Sequence, residues 1–587
     1  MMVIKPEYKN GVPMVTWKMY EDDYFDRHLV HEVIEKWAKE KPDEIAFISA
    51  DTGQKFTWKE FEESATAIAY KLIEMGIKKG DFVATSLPFF PEHIFIEYGC
   101  FKIGAIYVPL DLRLKPTEVT RCLSLVKAKV YFHLGETDRA DFKALAEITR
   151  DNVDFVDYFI QFSRPDTLME EKTEAKVISA WEFAKDAEEL HKEIQQGKNS
   201  ELHQKYTEAK KAIKETDGCM VIYTTGSTGF PKPALLSHQG ITAQNLCLGW
   251  GFNMNNDKET MLVNLPPSHV GGQTEQLMTP WFFGSKCVVL DLFKPDLSLE
   301  AVQKYKVTTL GQIPALFNLE WRLPNYSTYD LGTLKFALYG GQSVSRQFLE
   351  KMKMMAPKFG TGLGLTETSG FCTYTPLDGT VDDILAGVGY AMPITPISIR
   401  EPMKDDGSAG AAKEPGEIGE ICLSGPQVFL KYVNDPENTK KTISSDGWCY
   451  TGDRGSYDDE GLHFAGRSKL MIKPKGYNVY PKEVENFISD KFKDRAESVG
   501  VVGMHHDVFS EAIVAFIEEK KDKDITVDEV NKACKEMAAY KRPSHVVILD
   551  YNDMPLNRVQ KTDYQALKKM AEIEIEKLRN QGKWDAE

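Results

Sequence analysis

Apolar residues recur at steps of three and four along "FTWKEFEESATAIAYKLIEMGIKKG". Trp58, Phe61, Ala65, Ile68 and Leu72 fall on one face, which predicts an amphipathic helix that stops at glycine. The short apolar runs "DFVATSLP" and "GAIYVPL" are read as buried strands. Such helix-then-strand units repeat through most of the chain up to Gly466 and predict an α/β fold with layered, largely parallel sheets. The stripes themselves are read as core packing. Beyond Gly466 the pattern changes. "SVGVVGMHHDVFSEAIVAFIEEK" predicts a strand pair, "TVDEVNKACKEMAAY" a helix and "SHVVILD" a strand, a smaller α+β unit with its boundary near Arg467 to Lys469. Residues 186–216 are charged and nearly free of branched apolar residues. They are expected to form a solvated helical insertion without a chemical role.

A chain of 587 residues exceeds one core and implies two or three domains. Its net charge of −16 argues against a nucleic-acid partner, whose phosphates need a broad basic face, so an anionic substrate must be met by local cations. Nine scattered cysteines with no C-x-x-C pair suggest neither a zinc site nor a disulfide framework. No apolar run at the N-terminus is long enough for a signal peptide. The longest apolar region, "HIFIEYGCFKIGAIYVPL", is interrupted by Glu97 and Lys102, so no integral membrane segment and a cytoplasmic location are expected.

Candidate chemistry begins at "YTTGSTGFPKP". A Walker-type loop places its lysine and hydroxyl together at a helix start, but here Lys232 precedes Pro233, which has no amide and pushes its neighbour out of the α region. What remains is a loop in which Thr224, Thr225, Ser227 and Thr228 offer donors and Gly226 and Gly229 allow close backbone approach to phosphate. Lys232 supplies charge at its end. The bland alternative is a Ser/Thr/Gly surface turn. Further on, "GLGLTETSG" sets Thr366 and Glu367 on a glycine-rich turn suited to magnesium. "YTGD" ends in Asp453, an acceptor suited to ribose hydroxyls. "GRSKLMIKPKGYNVYPKEVE" gathers Arg467, Lys469, Lys473 and Lys475, and "MPLNRVQKTD" holds Lys561. Taken singly, these also read as a helix cap, a turn and solvated lysines.

In this order, from about residue 30 to 575, the stretches resemble the adenylate-forming (AMP-binding) superfamily, in its acyl-CoA synthetase branch. "YTTGSTGFPKP" is similar to the family's phosphate loop, "LPPSHVGG" to its aliphatic-binding segment, and "ALYGGQSVS" and "GLGLTE" to its adenine and magnesium segments. "YTGD" resembles the ribose segment, "GRSKLMIKPKGYNVYPKEVE" the hinge and following loop, and "MPLNRVQK" the catalytic-lysine segment. The resemblance implies an adenylate-forming domain over 1–467, which binds ATP and the carboxylic acid, and a mobile domain over 468–587, which carries the catalytic lysine and the thioesterification loop.

It also implies two half-reactions with ATP, Mg2+ and CoA: a carboxylate displaces pyrophosphate to give acyl-AMP, then a thiol displaces AMP. Lys561 would bridge the carboxylate and the α-phosphate, and Glu367 with Thr228 or Thr366 would hold magnesium. Asp453 and Arg467 would fix the nucleotide, whose base and phosphates meet Thr224 to Gly229, Lys232, Gly341, Gln342 and Gly362 to Leu365. His269 (as a wall, not a base), Val270, Gly271, Gln273 and Gly340 would line the carboxylate pocket, with Gly271 and Gly272 opening room for the acyl group. Lys469 would be the hinge, and Lys473, Lys475, Gly476 and Tyr477 the CoA loop. Two positions depart from the pattern: Gln560 stands where the family usually has glycine, and Leu363 where it usually has an aromatic under adenine. A free-standing ligase is expected, since no carrier segment follows Lys561. A ligase that loads a separate carrier protein, a non-catalytic nucleotide- or acyl-binding relative and a luciferase-like oxygenase are the rivals.

Overall fold

The computed structural model describes residues 5–584 apart from 139, 173, 225–230, 468–469, 475–478, 509 and 558–559. Two large sheets lie at its centre. The first has eight strands. Gly218–Thr224, Ile106–Pro109, Phe82–Ser86, Val130–Leu134, Tyr158–Phe162 and Lys176–Ser179 are parallel, while Lys232–Ser237 and Lys431–Tyr432 extend the edge antiparallel. The second has seven strands, parallel from Lys358–Gly360 through Phe336–Tyr339, Thr309–Gln312, Thr260–Val263 and Lys286–Val289 to Ile45–Ser49, with Lys55–Thr57 antiparallel at its edge. This is the layered, largely parallel arrangement that the alternating pattern implies.

One extended core joins the layers. The predicted helix spans Trp58–Glu74 and starts on a reciprocal cap in which Thr57 and Glu60 each bond the other's backbone. Trp58, Phe61, Ala65 and Leu72 are fully buried. Its neighbour Pro91–Ile103 begins on proline, ends at Gly104 (φ +72) and is buried all round. Both charges that interrupt this apolar run are therefore interior. Lys102 is neutralised by Glu35 (2.7 Å) and Glu62 (2.8 Å), whose charges hold its pKa above the usual range. Among the described residues Glu97 has no such cation, and burial pushes its carboxyl well upward, towards the neutral acid. Among the described residues, no helix is long and apolar enough to cross a membrane. All nine cysteines are free and buried.

The insertion is helical, as expected, but one of its faces is packed rather than solvated. Helices Ala180–Gln195 and Ser200–Lys211 pack on Trp58–Glu74, burying Phe183, Ala187, Leu202 and Tyr206. His203 Nδ1 lies 2.9 Å from the Tyr70 hydroxyl, and Lys210 pairs with Glu35 at 2.8 Å. Leu190, Ile194, Leu202 and Tyr206 supply the apolar face of the insertion.

A four-stranded antiparallel sheet follows: Ile397–Arg400, Gly419–Leu423, Cys449–Asp458 and Gly461–Arg467. The last unit has the expected strand pair, Ala496–His506 and Ser510–Glu519, with His545–Leu549 parallel to the second strand. Helices Pro481–Lys491, Val527–Cys534 and Tyr564–Asn580 pack around it in two small cores. This unit docks on the second large sheet's helices. Arg322 pairs with Glu497 and lies over the Tyr551 ring (5.1 Å to centroid), and Lys520 Nζ donates to Gln347 Oε1 at 2.7 Å.

Candidate functional site

The site lies at the C-terminal ends of parallel strands, where open α/β sheets place ligands. Strands Gly218–Thr224 and Lys232–Ser237 form a hairpin in which Thr224 is paired with Lys232. Lys232 begins a strand rather than a helix, as Pro233 requires. Thr225, Gly226, Ser227, Thr228 and Gly229 lie outside the described residues. At the lip of the hairpin, the Thr224 hydroxyl is buried and has no hydrogen-bond partner among the described residues. A buried polar atom of this kind is a cost unless a ligand satisfies it.

Leu430 and Tyr432 bring a second segment to this edge. Tyr432 sits opposite Ala234, its ring lies 4.4 Å from Lys232 Nζ, and its hydroxyl donates to Glu367 Oε1 at 2.5 Å. One side chain thus positions both the cation and the acid. Burial, then the Glu367 charge, raise the Tyr432 pKa, so the phenol remains a donor. Glu367 is carried on a single 3-10 turn, Thr366–Thr368, between the short paired strands Gly364–Leu365 and Gly370–Phe371. Phe429 N donates to its carbonyl at 2.8 Å. Gly362 is required beside this hairpin, because a Cβ there would stand 1.8 Å from the Thr373 carbonyl oxygen. Leu363 is pinned by its amide, which donates to Thr373 Oγ1 at 2.8 Å, and its side chain packs with Ile399, Ile421 and Leu462.

Strand Phe336–Tyr339 delivers Gly340, Gly341 and Gln342. A Cβ on Gly340 would stand 3.0 Å from the Phe371 ring, and Gly341 takes φ +91. The missing Gly341 side chain leaves room for Lys561, whose Nζ lies 3.1 Å from where that Cβ would be. Lys561 is held by Asn557: its amide donates to Asn557 Oδ1 at 3.0 Å, and its carbonyl accepts from Asn557 N at 2.7 Å. Gln560 in this turn has φ +57, a left-handed conformation that glycine adopts without strain. The departure from the family's glycine thus falls where the backbone favours glycine.

Asp453 is buried on strand Cys449–Asp458 and registers with Arg467. Gly452 beside it takes φ +76 and donates its amide to Glu420 Oε1 at 3.1 Å. The Arg467 side chain, Lys469, Lys475, Gly476 and Tyr477 lie outside what the structure describes. Lys473 is exposed, and its amide donates to Glu511 Oε2 at 2.5 Å.

The segment expected to line the carboxylate pocket winds as a π-helix, Gly271–Met278, a form that recurs at functional sites. His269 Nδ1 accepts from Gly271 N at 3.0 Å. Burial and then the Lys561 charge push its pKa down to about 4, so it is neutral at physiological pH. Val270 is buried. Gln273 is fully buried with its amide turned to His93 (3.4 Å) on the neighbouring helix. The expectation that Gly272 opens the pocket is corrected: a Cβ there would stand 2.3 Å from the Pro266 carbonyl, so this glycine serves backbone packing. Thr274 Oγ1 donates to the Ser369 carbonyl at 2.6 Å and ties the π-helix to the Glu367 hairpin. Tyr432 is a residue of this cluster that the sequence did not single out.

The AMP-binding enzyme family model matches residues 34–433, and that of the AMP-binding enzyme C-terminal domain matches 483–561. The putative acyl-CoA synthetase YngI of Bacillus subtilis is 27% identical over 551 residues, covering 90% of this chain and 95% of its own. The 4-coumarate–CoA ligase CCL1 of Humulus lupulus is 26% identical over 551 residues, covering 91% and 93%. The crystal structure of ATP-bound MatB from Rhodopseudomonas palustris superposes with a TM-score of 0.73 at 22% identity, over 93% of this chain and 99% of that one, which is a likeness of fold.

Proposed function

The chain belongs to the AMP-binding enzyme family, and we propose that it is an AMP-forming acid–CoA ligase. It activates a carboxylic acid as acyl-AMP with release of pyrophosphate, then passes the acyl group to the thiol of coenzyme A. The observation that carries this reading is the Lys561 ammonium seated against Gly341, next to Gly340, whose missing Cβ makes room for the Phe371 ring.

In the first step a carboxylate oxygen attacks the α-phosphorus and pyrophosphate leaves. Little covalent work falls to the protein, so positioning and charge neutralisation carry the step. Lys561 bridges the two anions as charge moves between them. One preorganised contact of this kind contributes about 3 kcal/mol, a hundredfold or more in rate. Asp453 accepts from the ribose hydroxyls, with Arg467 fixing the nucleotide, and Lys232 and the Thr224 hydroxyl meet phosphate oxygens. Neutral His269 walls the carboxylate pocket without competing as a base.

The donor set suits magnesium, which takes one or two carboxylates plus substrate phosphates rather than an all-protein cage. Among the described residues no cluster of three or more acidic, histidine or cysteine ligands exists, and the Tyr432 bond engages one of the two Glu367 carboxylate oxygens. Glu367, with Thr366 or Thr228, would hold the ion, which when bound offsets phosphate charge.

In the second step the thiol attacks the acyl carbon and AMP leaves. The unit over 468–587 swings about Lys469, withdrawing Lys561 and bringing in the loop of Lys473, Lys475, Gly476 and Tyr477. The test is pyrophosphate release with ATP and magnesium over a panel of aliphatic, cyclic and aromatic acids, with and without CoA. Sustained CoA-dependent release is expected for one group; its absence throughout would refute the ligase.

A further inference from the structure

The loop and π-helix expected to meet the acid are anchored by a chain of buried polar side chains. Asn264 follows strand Thr260–Val263, Gln312 ends strand Thr309–Gln312, and Gln276 lies on the π-helix. Ser298 and Glu320 come from helices Pro295–Tyr305 and Pro314–Trp321. All five are buried, and every side-chain nitrogen and oxygen among them has a partner.

Backbone groups fix the direction of the chain. Gln276 Oε1 accepts from the amides of Asn264 and Leu265, both at 3.0 Å, and Gln276 Nε2 donates to the Gly311 carbonyl, so this side chain has one orientation. Gln276 Nε2 also donates to Asn264 Oδ1 at 3.0 Å. Asn264 Nδ2 must then donate to Gln312 Oε1 at 2.7 Å and to Ser298 Oγ at 3.3 Å, which leaves Gln312 Nε2 to donate to Glu320 Oε2 at 2.8 Å. The chain has to end on an acceptor, and Glu320 provides it. Its other oxygen accepts from Ser298 Oγ at 2.6 Å. Burial raises the Glu320 pKa to about 8 against these two hydrogen bonds, but a proton on Oε1 would point at Ser298 and leave Oε2 an acceptor.

Both ends of the chain reach the candidate site. Through Gln276 it holds the amide of Leu265, whose Cδ1 lies 2.9 Å from where a Gly271 Cβ would stand, and His269 Nδ1 is 3.1 Å from the same point. Gln312 leads directly into Ile313, whose Cγ2 is 3.6 Å from the Cβ position of Gly341, the point that Lys561 Nζ approaches to 3.1 Å. Packing alone does not call for such an array, because a buried carboxyl is costly and apolar residues of the same volume hold helices to strands as well or better. What a fully bonded polar array adds is a single geometry.

We propose that Gln276, Asn264, Gln312 and Glu320 are positioning residues for adenylation, which set the loop over 264–269 against the π-helix so that the acid's carboxylate is held where Lys561 reaches it; this rests on the ligase reading of the same site. Glu320 touches no substrate and acts through Gln312 and Asn264. The groups assigned to ribose and phosphate lie on other segments, so damage to the array should fall on the acid and spare ATP.

The test follows pyrophosphate release by the full chain, first with acetate, octanoate, palmitate, benzoate and cyclohexanecarboxylate to choose the best acid, then as kcat and KM for that acid and for ATP. Asn264→Asp sets an oxygen against Gln312 Oε1 and should raise KM for the acid about tenfold or more, with KM for ATP within about twofold of the wild type. Adding Glu320→Gln moves the carboxylate to the opposite end of the chain. The Gln312 amide can then turn over, donating to the carboxylate at 264 and accepting from the amide at 320, so the double variant should recover most of the acid KM although it carries one more substitution. Gln312→Met keeps the side chain's length without its polar atoms; it decides the matter if Asn264→Asp does not fold, and the same split between acid and ATP is expected. An acid KM unmoved in the folded variants, an equal rise for acid and ATP, or a double variant no better than Asn264→Asp overturns the proposal while the ligase stands. No release by the wild type from any acid overturns the ligase reading and the proposal with it.

Discussion

Tyr432→Phe removes one oxygen and isolates what the phenol does for Glu367. The ring remains, so the contact with Lys232 Nζ at 4.4 Å survives, and so does the pairing with Ala234 on the sheet edge. What is lost is a 2.5 Å hydrogen bond to a carboxylate. Hydrogen bonds to charged groups contribute about 1.5–3 kcal/mol, and 1.4 kcal/mol is a factor of ten. Glu367 is only half-buried, so water can replace the lost partner in the resting enzyme and global stability should change little. The cost should fall on the carboxylate's orientation, and therefore on magnesium-dependent adenylation. We expect pyrophosphate release to drop by about ten- to a hundredfold at limiting magnesium, with partial recovery as magnesium is raised, while the melting temperature shifts by no more than a degree or two. The assay is pyrophosphate release titrated with magnesium, alongside calorimetric unfolding. An unchanged rate and magnesium dependence would refute the claim that Tyr432 positions Glu367.

Two further predictions concern stability. Glu97 is buried without a cation and its pKa is raised, so in the folded chain it binds a proton that the unfolded chain releases above the ordinary carboxylate range. Its share of stability is therefore present below the unfolded pKa and lost as pH rises, at up to about 1.4 kcal/mol per pH unit. Glu97→Gln should flatten the fall in stability from pH 5 to 8, and an unchanged slope in denaturant unfolding would count against it. Gln560→Gly should relieve a left-handed non-glycine residue that costs about 1–2 kcal/mol, offset by about 0.5–1 kcal/mol of chain entropy. A small net gain in the stability of the C-terminal unit is expected, and a clear loss in thermal unfolding would contradict it.

Much of the fold was legible because periodicity and punctuation are local. The stripe on Trp58–Glu74, the strand pair after Ala496 and the strand that Pro233 imposes on Lys232 each follow from a few adjacent residues. The insertion was legible as helical, but its packed face was not, because Ala187, Leu202 and Tyr206 are widely spaced among charges. In the candidate site, the motifs single out Glu367, Asp453 and Lys561 as candidates, while their geometry is not legible in the sequence. Tyr432 meets Glu367 and Lys232 only through sheet pairing, which no local pattern reveals. Gln273 and Glu275 were not separable because a π-helical turn breaks the usual three-and-four spacing: one faces His93 and the other Gly370. Gln560 was visible as a departure, but only its φ of +57 says why glycine suits that place.

The central claim is that Lys561, resting against Gly341, serves the adenylating half-reaction and leaves before the second. Lys561→Ala tests it most directly when the two half-reactions are assayed apart. Adenylate formation from acid and ATP should fall a hundredfold or more, corresponding to about 3 kcal/mol, while thioester formation from supplied acyl-AMP and CoA should proceed near the wild-type rate. Equal loss in both half-reactions, or adenylation left intact, would contradict the account.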